Sequence, residues 1–510
     1  MNHLALDALR RMCHFLASRA RNQYMNPADR SRKLRVLLVA SPRTDLGFGR
    51  AMRLPNLGLN SIAANIDPQL CDIKVLDLVV AGANPRVYLR KTIEQWQPDI
   101  VGLSSMTFQY FETLELAGIV KSVRPGILTV LGGYHATVAP DLVLGDEKAR
   151  GRIDLLLRNE GETAFARLIE SMRENGDFSK VPNVSYVKDG AVVNNPSGPA
   201  VDLDSLALPD RSSRLITKGF HLFGNRADVV ETSRGCAFDC DFCSIHCMYG
   251  NSYRKYAVDR VVRDILDARK HGAQAIFVAD DNITLDGKRY AELCEAIIDA
   301  RMHTLGFFIQ ASVRGICRTP GLAALMYKAG VRCVFLGIEN VSQENLTFLD
   351  KTNQFKVSEA ETAVRELRAQ GIVVIGGFII GNPDDSAESI RANYHFAKKI
   401  GIDVALFFIL TPFPGTAIRA KLLDEGLVTR PFDFQDYTCF RACVKTKHLT
   451  SEQLFSLREE MGFRYPIDAG NAWRLARMVP PRFLVSQFFV QLAKGPGEVF
   501  GYFRGLFGGV

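Results

Sequence analysis

The chain has 510 residues, of which 47% are hydrophobic and 23% are charged, and its formal net charge is +8. This length predicts two or three domains, and this composition excludes a chain that is mainly disordered. The eleven cysteines are odd in number and irregularly spaced, which excludes a secreted disulfide scaffold and favours a reducing, cytoplasmic location.

The N-terminal segment is basic and has no features of a secretory signal. Its opening, "MNHLALDALRRMCHFLASRARNQYM", contains no uninterrupted apolar core and no small-residue cleavage site. Residues 10–35 carry eight Arg or Lys against one acid, and apolar residues recur at helical spacing. We therefore expect no export and predict a basic amphipathic helix over residues 1–33.

Apolar runs alternate with amphipathic segments over residues 34–165. Strands are predicted at 34–42, 72–78, 99–106, 128–135 and 153–160, and helices at 58–66, 86–96 and 110–123. This alternation predicts an α/β domain with a parallel, doubly wound, Rossmann-like sheet, whose ligand binds beyond the carboxyl ends of the strands. The small or polar residues at those ends are the expected ligand contacts: Ser104, Ser105, Gly132, Gly133 and Glu160.

A second series of strands follows a segment rich in proline and serine. Residues 166–227 contain "NNPSGPAVDLDSLALPDRSS" and are predicted to be a linker. Over residues 228–425, six apolar strands are then predicted at 228–233, 275–282, 306–313, 333–340, 373–381 and 404–412. Six βα units close only part of a barrel, and its active face also lies at the carboxyl ends of the strands.

Four cysteines follow the first of these six strands, in "SRGCAFDCDFCSIHCMYG" (residues 233–250). A structural zinc site would need a second pair of ligands at a suitable distance, and the chain offers none. Disulfide bonds are rare in proteins of a reducing compartment. Both alternatives are therefore disfavoured relative to an iron–sulfur cluster.

The spacing Cys236-x3-Cys240-x2-Cys243, with Phe242 before the third cysteine, resembles the signature of the radical S-adenosylmethionine (SAM) superfamily. The resemblance implies a [4Fe–4S] cluster in which three thiolates bind three irons and SAM binds the fourth. A fourth thiolate would close that position, so Cys247 is interpreted as a bystander. Compared strand by strand with the same superfamily, the barrel implies five SAM contacts: Asp280 or Asp281 for the amino group, Gln310, Ser312 and Arg314 for the ribose and carboxylate, and Glu339 for a ribose hydroxyl.

Residues 34–165 resemble the cobalamin-binding domain that precedes this barrel in one subfamily. The matching pieces are "RLPNLGLNSIAANI", "PDIVGLSSMT", "VLGGYHATVAP" and "RNEGETAF", in the expected order. The resemblance implies that the strand-end residues of this domain bind cobalamin. No Asp-x-His-x-x-Gly string offers an imidazole to cobalt, so we expect cobalamin without a histidine ligand and interpret His135 as a nearby hydrogen-bonding residue.

The C-terminal region, residues 426–510, is predicted to be helical. From residue 473 onward it carries five Arg or Lys against one acid, and "FLVSQFFVQLA" is too short to span a bilayer. Packing against the protein and peripheral contact with the inner face of a membrane are the two alternatives. Because the positive charge lies at the two ends rather than along an internal stripe, we expect no nucleic-acid partner.

The combined resemblance covers residues 34–465 and implies SAM in two roles, as the methyl source for cobalamin and as the source of a 5′-deoxyadenosyl radical. The motifs are similar to the branch that includes hopanoid methylases and anaerobic magnesium-protoporphyrin ester cyclases. The leading hypothesis is therefore methylation of an unactivated carbon in a lipophilic small molecule that resembles a hopanoid, an isoprenoid or a tetrapyrrole. Flavodoxin or ferredoxin is the expected electron donor.

Three other functions remain open at this point. The first is an oxidative cyclase or rearrangement enzyme that transfers no methyl group. The second is a tRNA methylthiotransferase, which is disfavoured because only Cys13 and Cys71 precede Cys236. The third is an iron–sulfur redox sensor that binds neither SAM nor cobalamin. After the last barrel strand, Tyr437 and Cys439 are candidates for substrate contact or hydrogen donation, and simple packing is the alternative.

Overall fold

The computed structural model describes residues 32–43, 51–174, 176–351, 356–465 and 469–492, so most of the predicted N-terminal helix lies outside the described residues. The strands, in chain order, are β1 (Leu34–Ala40), β2 (Met52–Arg53), β3 (Cys71–Asp77), β4 (Ile100–Ser104), β5 (Leu128–Gly132), β6 (Leu155–Leu157), β7 (Val184–Lys188), β8 (Ala191–Asn194), β9 (His221–Leu222), β10 (Asn225–Val230), β11 (Ser233–Arg234), β12 (Arg254–Lys255), β13 (Ala275–Val278), β14 (Gly306–Ser312), β15 (Val331–Glu339), β16 (Val373–Ile380) and β17 (Val404–Ile409).

The helices of the same residues are α1 (Leu57–Ala64), α2 (Pro85–Trp96), α3 (Tyr110–Val123), α4 (Tyr134–Val138), α5 (Pro140–Gly145), α6 (Gly161–Glu174), α7 (Ile245–Tyr249), α8 (Val258–Lys270), α9 (Gly287–Asp299), α10 (Val313–Arg318), α11 (Leu322–Lys328), α12 (Gln343–Phe348), α13 (Val357–Ala369), α14 (Ala387–Ile400), α15 (Ala417–Asp424), α16 (Ser451–Arg464), α17 (Ala469–Met478) and α18 (Pro481–Leu492).

The first sheet has the order β3-β1-β4-β5-β6-β7-β8, and its first five strands are parallel, as the alternating pattern predicted. Both faces are buried because alternate side chains of one strand face opposite layers of helices. In β1, Leu34 and Val36 pack with α1 and α6, whereas Leu37 and Val39 pack with α2 and α3. The result is the expected doubly wound domain.

The segment predicted to be a linker contributes strands to this sheet. Strand β7 pairs antiparallel with β6, and a tight turn joins it to β8. Asp189 and Gly190 both have positive φ, 52° and 82°, which is the conformation of a two-residue hairpin turn. The Asp-Gly pair between two β-rich runs is a hairpin signal, and the Pro- and Ser-rich composition of the whole segment obscured it.

The second sheet has the order β17-β16-β15-β14-β13-β10-β9-β2, and its six long strands are parallel. Helices α8, α9, α13 and α14 cover its outer face. At the amino ends of the strands, its concave face is filled by Leu475 and Val479 of α17 and by Phe483 of α18. The predicted partial barrel is thus present, and its carboxyl end is the open one.

A buried arginine fixes the segment between the two sheets. Arg211 has no exposed side-chain surface and pairs with Asp264 at 2.7 Å, Asp267 at 2.9 Å and Asp228 at 3.2 Å. Arg214 follows it and donates both to Asp228 and to the side chain of Asn60 in α1 of the first domain. These contacts join the segment between the two sheets to α1 of the first domain and to β10 and α8 of the second.

Candidate active site

The cysteine segment is a loop closed at its base by the antiparallel pair β11–β12. Gly235 begins the loop with φ of 81°, and a side chain there would overlap the carbonyl oxygen of Ser252. Within the loop, the backbone N–H of Cys243 donates to the carbonyl of Cys240 at 3.0 Å. This turn brings Cys240 and Cys243 together, and the charge of Cys236 also acts on Cys243.

The three thiols affect one another electrostatically. Burial, together with the charges of Cys240, Asp281 and Cys236, raises the pKa of Cys243 to about 12. Burial also raises the pKa of Cys236, although the backbone N–H of Phe238 donates to its sulfur and lowers the pKa. Iron binding would therefore displace protons from these sites.

The donor set consists of three thiols, which are the ligands of iron–sulfur clusters. Within the residues that the structure describes, no three His, Cys, Asp or Glu side chains converge on a point that could hold one metal ion. Cys236, Cys240 and Cys243 would hold a [4Fe–4S] cluster, in which each thiolate would bind a different iron. The Cys247 thiol instead donates to the carbonyl of Gly415 at 3.4 Å, consistent with its interpretation as a bystander.

The two aspartates after β13 have different roles. Asp280 is 1% exposed, and its carboxylate accepts from Thr232 N, Thr232 Oγ1 and Ser233 Oγ at 2.5–2.6 Å. Those bonds use the carboxylate to hold the base of the cysteine loop, and the SAM contact at Asp280 stays a prediction. Asp281 instead accepts from the N–H of Gly235, and burial together with Asp280 and Glu231 raises the pKa of Asp281 to about 7. The SAM contact at Asp281 stays a prediction.

The other predicted SAM contacts lie at the same edge. Gln310 Nε2 donates to the carbonyl of Asp280 at 3.2 Å, and the Ser312 hydroxyl caps α10, where Arg314 occupies the first turn. Glu339 ends β15 and pairs with Lys351 at 3.1 Å. The structure therefore brings these residues together, but it assigns the Ser312 hydroxyl to a helix cap.

An ion-pair network joins the cysteine loop to the first domain. Arg234, two residues before Cys236, donates to Glu160 and Glu162 at 2.7 Å and to Glu231 at 2.9 Å. Glu160 also pairs with Arg254 at 2.9 Å. The Glu160 carboxylate thus faces the base of the cysteine loop, and its predicted contact with cobalamin stays a prediction.

The remaining predicted cobalamin contacts lie side by side. Strand register pairs Ser104 with Gly132. Gly133 has φ of 89°, and a side chain there would come within 2.8 Å of the carbonyl oxygen of Ser105. The buried Ser105 hydroxyl donates to the carbonyl of Met106 at 2.9 Å. These small residues let the backbones after β4 and β5 approach each other closely at the carboxyl edge, where cobalamin is predicted to bind.

His135 differs from its interpretation as a hydrogen-bonding residue. It has no exposed surface, and neither ring nitrogen has a hydrogen-bond partner among the described residues. Its ring lies 4.5 Å from the ring of Tyr110 and 4.8 Å from that of Phe434. Burial lowers the pKa of His135 to about 3, so the imidazole is neutral and packs as an aromatic side chain.

A cavity of about 180 Å³ lies where the two domains meet. Its walls come from the loops after β4 and β5, the cysteine loop and the segment after β17: Met106, Thr107, Phe108, Tyr134, Val138, Ser244, Phe413, Tyr437, Thr438 and Cys439. The hydroxyl of Tyr437 accepts from Arg419 at 2.8 Å, which fixes its orientation. Tyr437 and Cys439 therefore line the space between the two predicted cofactor sites.

Comparisons with known proteins agree with this division of the chain. Residues 45–169 match the B12 binding domain family, and residues 230–397 match the Radical SAM superfamily. Over 431 residues the chain is 30% identical to an uncharacterized methyltransferase of Pyrococcus horikoshii, a match that covers 83% of this chain and 91% of that protein.

Two further relatives have named activities. The anaerobic magnesium-protoporphyrin IX monomethyl ester cyclase of Rubrivivax gelatinosus is 31% identical, covering 70% of this chain and 64% of that protein. The hopanoid C-3 methylase of Methylococcus capsulatus is 29% identical, covering 72% and 68%. Among solved structures, TsrM from Kitasatospora setae with cobalamin and [4Fe–4S] cluster bound has a TM-score of 0.68 at 17% identity, covering 88% of this chain and 92% of that chain. At this identity the likeness shows the fold alone.

Replacing any one of Cys236, Cys240 and Cys243 by alanine should remove most of the iron from anaerobically reconstituted protein. Cys247→Ala should retain the wild-type content, because its thiol faces Gly415. Iron and sulfide assays with the paramagnetic resonance spectrum of the reduced protein measure this. Loss of the cluster in Cys247→Ala, with the other three variants intact, would contradict the assignment.

His135→Phe should bind cobalamin with an unchanged visible spectrum and should be less sensitive to acid than the wild type. The pKa of His135 is about 3 in the folded chain and ordinary in the unfolded chain, so below about pH 6.5 only the unfolded state gains a proton. Between pH 6.5 and 5 the wild type should lose roughly 2 kcal/mol more stability than the variant. Equal acid sensitivity of the two proteins in denaturant titrations would show that the His135 imidazole is not shielded from water.

Proposed function

The chain belongs to the family of radical SAM enzymes that carry a B12-binding domain, and on this premise we propose that it methylates an unactivated carbon of a lipophilic small molecule. Membership in this family brings three cofactors, a [4Fe–4S] cluster, SAM and cobalamin. Bound together, they supply hydrogen-atom abstraction and a methyl group. The protein's own residues must hold the substrate between the cofactor sites and exclude water from it.

The cavity at the meeting of the two domains carries this proposal. Met106, Phe108, Val138 and Phe413 give it apolar walls, and Tyr134 approaches it from the edge of the cobalamin domain. Apolar walls favour an apolar ligand, because binding removes apolar surface of the ligand and of the cavity from contact with water. The cavity adjoins the cysteine loop through Ser244, so a bound carbon would lie near both predicted cofactor sites.

Two relatives support methyl transfer. The methyltransferase of Pyrococcus horikoshii covers most of the chain, and the hopanoid C-3 methylase is named for a lipid that it methylates. We extend this activity to the present chain and place the methyl acceptor in the cavity.

A second candidate, an oxidative cyclase that transfers no methyl group, is favoured by one specific observation. The magnesium-protoporphyrin ester cyclase of Rubrivivax gelatinosus is 31% identical, which is close to the identity of the methyltransferase. Both candidates need the same three cofactors and a lipophilic substrate, so the fate of the methyl group of SAM separates them.

A trideuterated methyl group of SAM should appear in the product if the enzyme is a methylase. The reconstituted protein, reduced by flavodoxin, would be incubated with labelled SAM and either a hopanoid or magnesium-protoporphyrin monomethyl ester in detergent. We expect a mass gain from the labelled methyl group, with 5′-deoxyadenosine and S-adenosylhomocysteine formed in equal amounts. Cys236→Ala serves as the inactive control. Conversion of the porphyrin ester without label would support the cyclase, and 5′-deoxyadenosine without S-adenosylhomocysteine would exclude methyl transfer.

We place the C-terminal helices on the surface of an anionic membrane, which would keep the enzyme close to a lipophilic substrate. Val485, Phe488 and Phe489 of α18 are 43–63% exposed on one side of the helix, and Trp473 of α17 is 62% exposed beneath the guanidinium of Arg477. Exposed aromatic residues beside arginines complement an anionic lipid surface. No helix among the described residues is long and apolar enough to cross a bilayer.

The variant Trp473→Ser/Phe488→Ser/Phe489→Ser should bind vesicles that contain phosphatidylglycerol roughly tenfold less than the wild type, because it loses three apolar contacts with lipid. Flotation with phosphatidylglycerol and phosphatidylcholine vesicles measures the bound fraction, and added salt should lower it for the wild type. Phe432→Ser is the matched control, since Phe432 is 60% exposed and lies outside α17 and α18. Equal binding by the wild type and the triple variant would refute this placement.

A further inference from the structure

A buried ion pair lies beside the cysteine loop. Lys351 is 8% exposed, and its Nζ lies 3.1 Å from Oε1 of Glu339, whose side chain is 12% exposed. The same Nζ lies 6.0 Å from the centre of the Phe238 ring, between Cys236 and Cys240 in the loop. A lysine this deeply buried is uncommon unless it is paired, and it costs desolvation energy.

The backbone places both members of the pair. The N–H of Lys351 donates to the carbonyl of Leu346 at 2.8 Å, and the N–H of Asp350 donates to that of Thr347 at 3.1 Å. With Asp350 at φ of 52°, these bonds form a Schellman end for α12, which turns the chain toward the cysteine loop.

Glu339 is held equally firmly at the end of β15. It has φ of 65°, a conformation that residues other than glycine seldom adopt. A side chain at Gly337 would come within 2.6 Å of its Oε1. Strain and close packing of this kind persist where the surrounding structure holds one arrangement.

The charge of Lys351 acts on the cysteines. Burial alone would lower the pKa of Lys351, but Glu339, Cys240 and Cys236 outweigh it, so the pKa lies above its usual value. The ammonium thus lies within electrostatic range of two of the three predicted iron ligands.

We propose that the Lys351–Glu339 pair sets the reduction potential of the iron–sulfur cluster, with Lys351 raising the potential and Glu339 lowering it. Reduction adds one negative charge to the cluster, so a nearby positive charge favours the reduced state and a negative charge opposes it. Burial limits the screening of both charges by water and salt. Both residues act on the reduction potential of the cluster electrostatically, through space. This inference rests on the cysteine assignment and needs no substrate and no methyl transfer.

Two substitutions should shift the midpoint potential in opposite directions. Lys351→Met leaves the Glu339 carboxylate unpaired and should make the potential more negative. Glu339→Gln removes the opposing charge and should make it more positive, and Lys351→Arg should leave it near the wild-type value. The measurement is a redox titration of the reconstituted full chain without SAM, followed by the paramagnetic resonance signal of the reduced cluster.

Lys447→Met is the matched control, because Lys447 is 51% exposed and pairs with Asp384 at the surface. Shifts of the same sign in Lys351→Met and Glu339→Gln, or no shift in either, would overturn the proposal. If Lys351→Met binds no iron, Glu339→Gln decides the matter, since a positive shift supports the proposal and an unchanged potential overturns it. Iron content, measured on each sample, distinguishes failure of this proposal from failure of the cysteine assignment. Product analysis distinguishes it from failure of the proposed methyl transfer.

Discussion

The geometry of the site depends on Arg234, which binds three carboxylates at once. Burial alone would lower the pKa of this guanidinium, but Glu231 and Glu162 raise it far above its usual range. The planar guanidinium presents donors in several directions, so one side chain can donate hydrogen bonds to carboxylates of both domains. A lysine would offer a point charge and could not replace these bonds.

The chain position of Arg234 explains its importance. It lies between Ser233, whose hydroxyl binds Asp280, and Gly235, whose N–H binds Asp281. The start of the cysteine loop is therefore fixed on one side by the barrel and on the other by Glu160 and Glu162 of the first domain. Removing one partner would leave a buried charge uncompensated, which is why such networks tolerate little change. The network thus sets where the cluster lies relative to the edge that is expected to bind cobalamin.

Periodic features of the sequence predicted the framework well. Buried parallel strands read as apolar runs, and the helices between them have one apolar stripe, so the two sheets were predicted correctly. Strand alternation also separates the two aspartates that follow β13. Along β13 and its extension, Ala275 and Phe277 face the concave side, so the same period assigns Asp281 to the site and Asp280 to the opposite side.

Other features have no local signal in the sequence. The partners of Glu160, the aromatic surroundings of His135 and the burial of Lys351 all depend on residues far away in the chain. Motif resemblance assigned Glu160 to cobalamin because it stands at a strand end, and only the packing of the two domains shows that it faces Arg234. The resemblance identified the cofactors because their binding requires particular residues at fixed spacing, whereas charge pairing across domains follows from the assembled fold.

The small strand β2 has a consequence for how this architecture can be divided. Although it lies within the N-terminal part of the sequence, Met52 and Arg53 pair with Leu222 and His221 at the edge of the barrel sheet. The two domains are therefore interlocked, so a cut in the segment between them would strip the barrel of an edge strand and expose unpaired backbone groups. During synthesis this strand must wait for residues about 170 positions later before it can pair. The cobalamin-binding domain therefore cannot be exchanged between relatives by itself. Strand β2 and its partner β9 in the barrel sheet would have to be moved together with it.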